Sequence, residues 1–434
     1  MEIEIYFKFI LTFGLILLAA RLGGEIFERY LKQPPVLGEL VAGIAISPFA
    51  LGALINDPII LNFATVHGAF GLHEFSVMEI ISEIAVVVLL FVAGIETDVK
   101  AFLRQGLTGG LVAIGGVILP FVLGFFITML LVPEGGIAAW LFIGATLTAT
   151  SIGVTVRILM EMGKLQTREG TTILVGAVVD DIIGIVILSI VISVSSIVKA
   201  GGEIDIAHIG IDAVKITAIG LAVWFALLMV GVKFNKYISK VLLAPFKQSG
   251  TMPIFALIVG FLIAYLVTLV GLHPVVGAYV AGLMFAATSE REEILDQTRP
   301  IMLFLSPFFF CYLGMQVDMR LLWAGAAIAA VLIVAAIVGK MVGCYIPARL
   351  AGKLSHNEGM IVGVGMVPRG EVGLIIAGAG LLAGAIGRDI FGAAVAVSVV
   401  TTLVTPAMLK PFFKKQLEQA ETPDVPEPQD EQVG

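Results

Sequence analysis

The chain has 434 residues, 59% of them hydrophobic and only 14% charged, with a mean hydropathy of +1.04. Soluble globular domains are roughly a quarter charged, so composition excludes a water-soluble enzyme, a nucleic-acid binder and a secreted scaffold. The net charge of −7 is concentrated at the C-terminus: six carboxylates and no basic residue follow Lys415. Without them the rest of the chain is nearly neutral.

Apolar runs of the ~17–25 residues that cross a bilayer recur from end to end. Thirteen spans are expected, near 5–22, 36–50, 78–95, 107–132, 137–160, 169–197, 208–231, 252–271, 273–288, 300–315, 321–348, 357–384 and 389–412. Acidic Glu2 and Glu4 precede the first span and no small-residue cleavage site follows it, which argues against a cleaved leader. Nineteen Lys and Arg fall on one side of these spans and five on the other. Cytoplasmic loops retain Lys and Arg, so the N-terminus is expected outside and the C-terminus in the cytoplasm, at the cell membrane. Residues 414–434, rich in Glu, Gln, Pro and Asp, are expected to be a disordered acidic cytoplasmic tail.

The chain repeats itself. Pro35-Val-Leu-Gly-Glu-Leu-Val-Ala-Gly43 matches Pro274-Val-Val-Gly-Ala-Tyr-Val-Ala-Gly282, and Phe91-Val-Ala-Gly-Ile-Glu-Thr-Asp-Val-Lys100 echoes Tyr312-Leu-Gly-Met-Gln-Val-Asp-Met-Arg320. The first match pairs the second span with the ninth. Seven spans apart is odd, so the copies run in opposite directions. Inverted repeats of this kind characterise secondary transporters, whose sites lie near the midplane between discontinuous helices. The expected fold is therefore all-α: a polytopic bundle of two inverted repeats.

An ionisable group at the centre of a span costs about 2.5–3.5 kcal/mol by insertion scales, so the few present carry information. Asp180, Asp181, Lys340, Arg369 and Glu371 lie deep in spans, with Glu39 and Glu83 nearer the ends. Adjacent helix residues point about 100° apart, so one aspartate can meet a cation on a neighbouring helix while the other faces a cavity. A carboxylate that exchanges a proton for a metal ion is what proton-coupled ion exchange requires. Lys340 needs an anion, and Asp180 or Asp181 is the expected partner. Two segments read as broken helices: Ala145–Thr155, rich in hydroxyls, and Gly363–Gly373, with four glycines and Pro368. Unwound backbone at membrane depth is tolerated where it lines a cavity or is buried in protein. The freed carbonyls and the hydroxyls of Thr148, Thr150 and Ser151 suit a small cation, and Arg369 and Glu371 would offset the dipole ends. Cys311 and Cys344 are expected in the core. The five histidines (67, 73, 208, 273 and 356) are scattered over loops and span ends.

These residues resemble the monovalent cation/proton antiporter superfamily, in particular its NapA-like Na⁺/H⁺ antiporters. The matching segments are Pro35–Gly43, Leu90–Asp98, Thr148–Gly153, Val179-Asp-Asp181 and Pro368–Gly373. The resemblance implies a core domain that slides against a dimerisation domain, with two crossed unwound helices beside the aspartates. On that plan residues 1–106 and 198–320 supply scaffold and linker helices, and 107–197 and 321–413 the core helices. Asp181 would bind Na⁺ or H⁺, Asp180 would pair with Lys340, and Thr150 would lie in the first crossing. The paired Asp-Asp resembles the electrogenic branch. A homodimer in membrane lipid is implied, with monovalent cations and protons as cargo and no resident cofactor. A K⁺/H⁺ exchanger and a cation-coupled symporter are the alternatives within transport. An intramembrane aspartyl protease needs aspartates on separate helices, whereas the mid-span aspartates here are adjacent.

Overall fold

Helix occupies each of the thirteen segments expected to be apolar spans. The computed structural model describes residues 2–51, 65–67, 74–199, 206–247, 251–318, 320 and 325–421. In chain order the helices used below are α1 (Glu2–Arg29), α2 (Pro35–Ile46), α3 (Val77–Glu96), α4 (Gly106–Leu131), α5 (Gly136–Thr148), α6 (Ile152–Glu161), α7 (Arg168–Lys199) and α8 (Ile206–Lys233). They continue as α9 (Met252–Thr268), α10 (Pro274–Ala286), α11 (Arg291–Met315), α12 (Ala326–Leu350), α13 (His356–Gly365), α14 (Gly370–Leu382) and α15 (Arg388–Glu421). The one extended pairing among the described residues is a three-residue antiparallel ribbon, Thr65–His67 with Glu74–Ser76.

Among the described residues nine helical stretches are long and apolar enough to cross a membrane. The pair α13 and α14, bent by 46°, makes a tenth. The remaining three, α2, α9 and α10, are shorter apolar helices. The 12 residues of α2 rise only about 18 Å at 1.5 Å each, against a hydrocarbon core of about 30 Å. Both α2 and α10 start at a proline, which has no amide to offer and so marks the first turn. The tail differs from expectation, because α15 continues to Glu421 and residues 414–421 are helical. Residues 422–434 lie outside the described residues.

The repeat is visible as reciprocal packing. Helix α2 crosses α11, and α10 crosses α3. A methyl at Gly43 of α2 would collide with the Cys311 carbonyl of α11, and one at Gly314 of α11 with the Leu40 carbonyl of α2. The second copy repeats this: Gly282 of α10 meets the Phe91 carbonyl of α3, and Gly94 of α3 meets the Tyr279 carbonyl of α10. Each motif thus lodges its glycine against the backbone of the other repeat, the small-residue contact that joins helices in lipid. Gly282→Leu is accordingly expected to lower the thermal midpoint in detergent by the equivalent of about 1–3 kcal/mol or more. A change at Ile258, half exposed on α9, should leave the melt unmoved.

Helices α4, α5, α7 and α12 to α15 pack on one another, while α1, α2, α3, α9, α10 and α11 form a second interlocked set. Between the sets, α6 packs on α2 and α3. Helix α7, which carries the two aspartates, is thereby surrounded by both broken helices.

Candidate functional site

Each break interrupts a helix where backbone groups must find new partners. Helix α5 ends at Thr148, Ala149 and Ser151 are extended, and α6 resumes at Ile152. The second break runs from Met366 to Arg369. The two cross, and each satisfies the other. The Ser151 amide donates to the Pro368 carbonyl at 2.9 Å. Thr150 Oγ1 donates to the Met366 carbonyl at 3.2 Å and Thr155 Oγ1 to the Gly365 carbonyl at 3.0 Å. Arg369 donates to the Val367 carbonyl at 2.8 Å. Every carbonyl from Gly365 to Pro368 therefore has a donor, as buried backbone demands. Gly370 has φ +44° and sits against Ser151, where a Cβ would strike the serine side chain. Only glycine meets both conditions without strain.

Asp180 and Asp181 project from the middle of α7. Asp180 Oδ1 accepts from Lys340 Nζ of α12 at 2.8 Å, and both side chains are almost wholly buried. Lys340 Nζ also donates to the Thr148 carbonyl at the end of α5. The lysine thus ties α12, α7 and the first break together. Asp181 differs: it is 6% exposed and makes no hydrogen bond among the described residues. The charges that act on it are Asp180, Glu371 and Lys340.

The other residues singled out from sequence take distinct partners. The Thr148 hydroxyl turns back to the Ala145 carbonyl, so this residue offers its carbonyl, not its hydroxyl, to the site. Ser151 caps α6 through the Val154 amide and donates to Glu371 Oε2 at 2.5 Å. Arg369 and Glu371 are neighbours in sequence but not an ion pair, because the left-handed Gly370 turns the chain between them. Arg369 is fully buried, donates to the Ala336 carbonyl at 2.9 Å, and among the described residues its Nε has no partner. Its backbone is the N-cap of α14, but its guanidinium turns back to the Val367 carbonyl just beyond α13. Glu371 lies in the first turn of α14, the helix end a carboxylate favours. Glu371 lines a cavity of about 210 Å³ with Glu83 of α3, Gln316 beyond α11 and Phe391 of α15. Cys311 and Cys344 are free and buried. Among the described residues no group of three His, Cys, Asp or Glu side chains could hold a metal ion. His356 Nδ1 instead meets the Tyr345 hydroxyl at 2.8 Å, and His73 lies outside the described residues.

A second charged cluster was not legible in the sequence. Arg157, which its position near a span end counts among the loop cations, is 4% exposed in α6. Its Nε donates to Glu161 Oε1 at 2.6 Å. The signal that could have found it is the i, i+4 spacing of Arg157 and Glu161, together with Glu39, which needs a cation.

A family model matches nearly the whole of the chain that carries these crossing breaks. The model of the sodium/hydrogen exchanger transmembrane domain matches residues 9–415. The chain belongs to the sodium/hydrogen exchanger family. Two exchanger relatives agree over most of their lengths. The chain is 35% identical to the high-affinity Na⁺/H⁺ antiporter NhaS3 of Synechocystis, over 96% of this chain and 92% of that one. It is 34% identical to the Na⁺/H⁺-K⁺ antiporter GerN of Bacillus cereus, over 94% and 97%. Among solved structures it resembles the sodium proton antiporter MjNhaP1 of Methanocaldococcus jannaschii, with a TM-score of 0.64 at 18% identity, covering 96% of this chain and 99% of that one. This member of the exchanger family is thus a multi-pass, all-helical membrane protein with the exchanger fold.

Proposed function

We propose that the chain exchanges Na⁺ or Li⁺ for H⁺ across the cell membrane by alternating access, with Asp181 as the shared carboxylate. The observation that carries this reading is an unpartnered aspartate beside a lysine-paired one, at the crossing of two broken helices. A cation that reaches Asp181 finds a carboxylate with no hydrogen bond to break, next to Asp180 and within the field of Glu371. Sodium and proton compete there because each neutralises the same charge. Ser151 and Thr150 hold the two breaks in register, the carbonyl of Thr148 joins the first break to Lys340, and Arg369 and Glu371 offset the helix-end dipoles.

The core helices are those of residues 107–197 and 321–413, and the scaffold those of 1–106 and 198–320, through which two copies associate as a homodimer. The core slides against the scaffold and carries Asp181 from one face to the other. The N-terminus lies outside and the C-terminus in the cytoplasm, so the cavity beside Glu83 and Glu371 faces outward. Relatives named as Na⁺/H⁺ antiporters support sodium as cargo, and the name of GerN makes K⁺ the ion to compare. Proton flux in proteoliposomes given Na⁺, Li⁺ or K⁺ separately tests this. Na⁺ and Li⁺ are expected to drive flux; flux with K⁺ alone would overturn the choice of ion.

The exchange is electrogenic. Lys340 is charged while it pairs with Asp180, and a cation arriving at Asp181 competes for that aspartate. Release of the Asp181 proton and of one from Lys340 balances one bound Na⁺ with two protons, moving one net charge per cycle. Voltage then acts with about 2.3 kcal/mol per charge per 100 mV. In proteoliposomes an imposed K⁺-valinomycin potential should alter Na⁺-driven proton flux. Flux indifferent to voltage would reduce the stoichiometry to one proton and leave Asp180–Lys340 a fixed pair.

A further inference from the structure

Away from the aspartates, a dry ion cluster joins the two sets of helices at one face. Arg157 of α6 donates through Nη1 to Ser306 Oγ of α11 at 2.9 Å, and its Nη2 lies 3.6 Å from Glu39 Oε1 of α2. Glu161, held by Arg157 at 2.6 Å, also accepts from the Val36 amide at the start of α2. In the loop after α6, Gln166 donates to the Glu96 carbonyl at the end of α3 at 2.9 Å. These contacts all lie where α2 begins and α3 ends. At the other face, where α3 begins and α11 ends, the cavity of about 210 Å³ separates α3 and α11 from α14 and α15. One end is held by side-chain contacts while the other contains a cavity.

We propose that Arg157, with Glu39, Glu161 and Ser306, is an ionic latch that closes this face and breaks each time the face opens. The inference rests on the alternating-access reading above. Its chemistry suits a contact that must form and part repeatedly. For a buried ion pair the cost of drying the charges nearly offsets their attraction, so returning the groups to water on opening is nearly free. The cluster is also incompletely satisfied: among the described residues Glu39 Oε2 has no hydrogen-bond partner, and Oε1 sits at 3.6 Å from its cation. A permanent brace gains from full satisfaction of its polar atoms. Removing Arg157 strands two carboxylates in the dry, closed state alone, so the population shifts toward the state in which water reaches them.

A cysteine at Ser306, in a Cys311→Ala, Cys344→Ala background, reports whether this face is open. With Arg157 and both carboxylates in place a membrane-impermeant maleimide should label it slowly, and Arg157→Gln should raise the rate at least tenfold. An unchanged rate would overturn the latch. Because Arg157→Gln acts on a buried cluster, a second variant works on folded, reversible protein. Arg157→Cys with Ser306→Cys in the same cysteine-free background, bridged by a bis-methanethiosulfonate that forms a disulfide at each end and releases sulfinate, should lose Na⁺-driven proton flux and recover it on reduction. Undiminished flux with the bridge in place would mean that α6 and α11 stay together throughout the cycle, which also overturns the latch. Asp181→Asn separates the two readings. If it is inert while the bridged protein exchanges normally, the latch alone fails; if it exchanges normally, the ion site fails and the labelling still decides the latch.

Discussion

Asp181→Asn is expected to reduce Na⁺-driven proton flux to the level of empty liposomes while the protein stays folded and inserted. Asparagine has the shape of aspartate but carries neither the negative charge that replaces a cation's lost water nor a proton to exchange. Asp181 makes no hydrogen bond among the described residues, so the substitution removes no contact from the fold. It also removes a buried like charge beside Asp180, and a buried neutral amide costs less than a buried carboxylate. The thermal midpoint should therefore hold or rise. Flux at the normal rate in this variant would sink the assignment of Asp181, whatever the variant does to stability.

Lys340→Ala should act on stability first. It leaves Asp180 as a lone charge at full burial and deprives the Thr148 carbonyl of its donor. Breaking a buried pair from one side costs about 3–5 kcal/mol, visible as a markedly lower midpoint in a thermal melt. Adding Asp180→Asn removes the stranded charge, so the double variant should recover part of the loss and not all of it, because the carbonyl stays unpaired. In a double-mutant cycle, residues in contact depart from additivity by about 0.5–3 kcal/mol. Strictly additive losses would show that the ion pair contributes nothing to the fold.

Much of this site could be read before any coordinates, because lipid makes polar groups conspicuous. Asp180, Asp181 and Lys340 stood out as charges in apolar runs, and the glycines and hydroxyls of the two breaks marked backbone that no membrane-spanning helix would choose. The repeat was equally legible: glycines at equivalent positions of two matching motifs pack on each other's backbones. What stayed hidden is what depends on direction within a turn. Which aspartate meets Lys340 is set by the rotation of α7. That Thr148 offers a carbonyl, and that Arg369 and Glu371 diverge, follows from local backbone angles, above all the φ of +44° at Gly370. Arg157 escaped because a cation near a span end looks like a loop residue until two other helices, α2 and α11, close over it. The helical start of the tail escaped as well, since residues 414–421 contain no proline to end α15.

Competition at a single carboxylate is the central claim, and calorimetry of Na⁺ binding to the purified protein tests it most directly. Each Na⁺ bound should release protons, so the measured heat should change with the ionisation enthalpy of the buffer. The apparent affinity should fall as pH falls, since protons then occupy Asp181, and Asp181→Asn should abolish both the binding and its buffer dependence. Na⁺ binding with the same heat in every buffer and the same affinity at every pH would contradict the account.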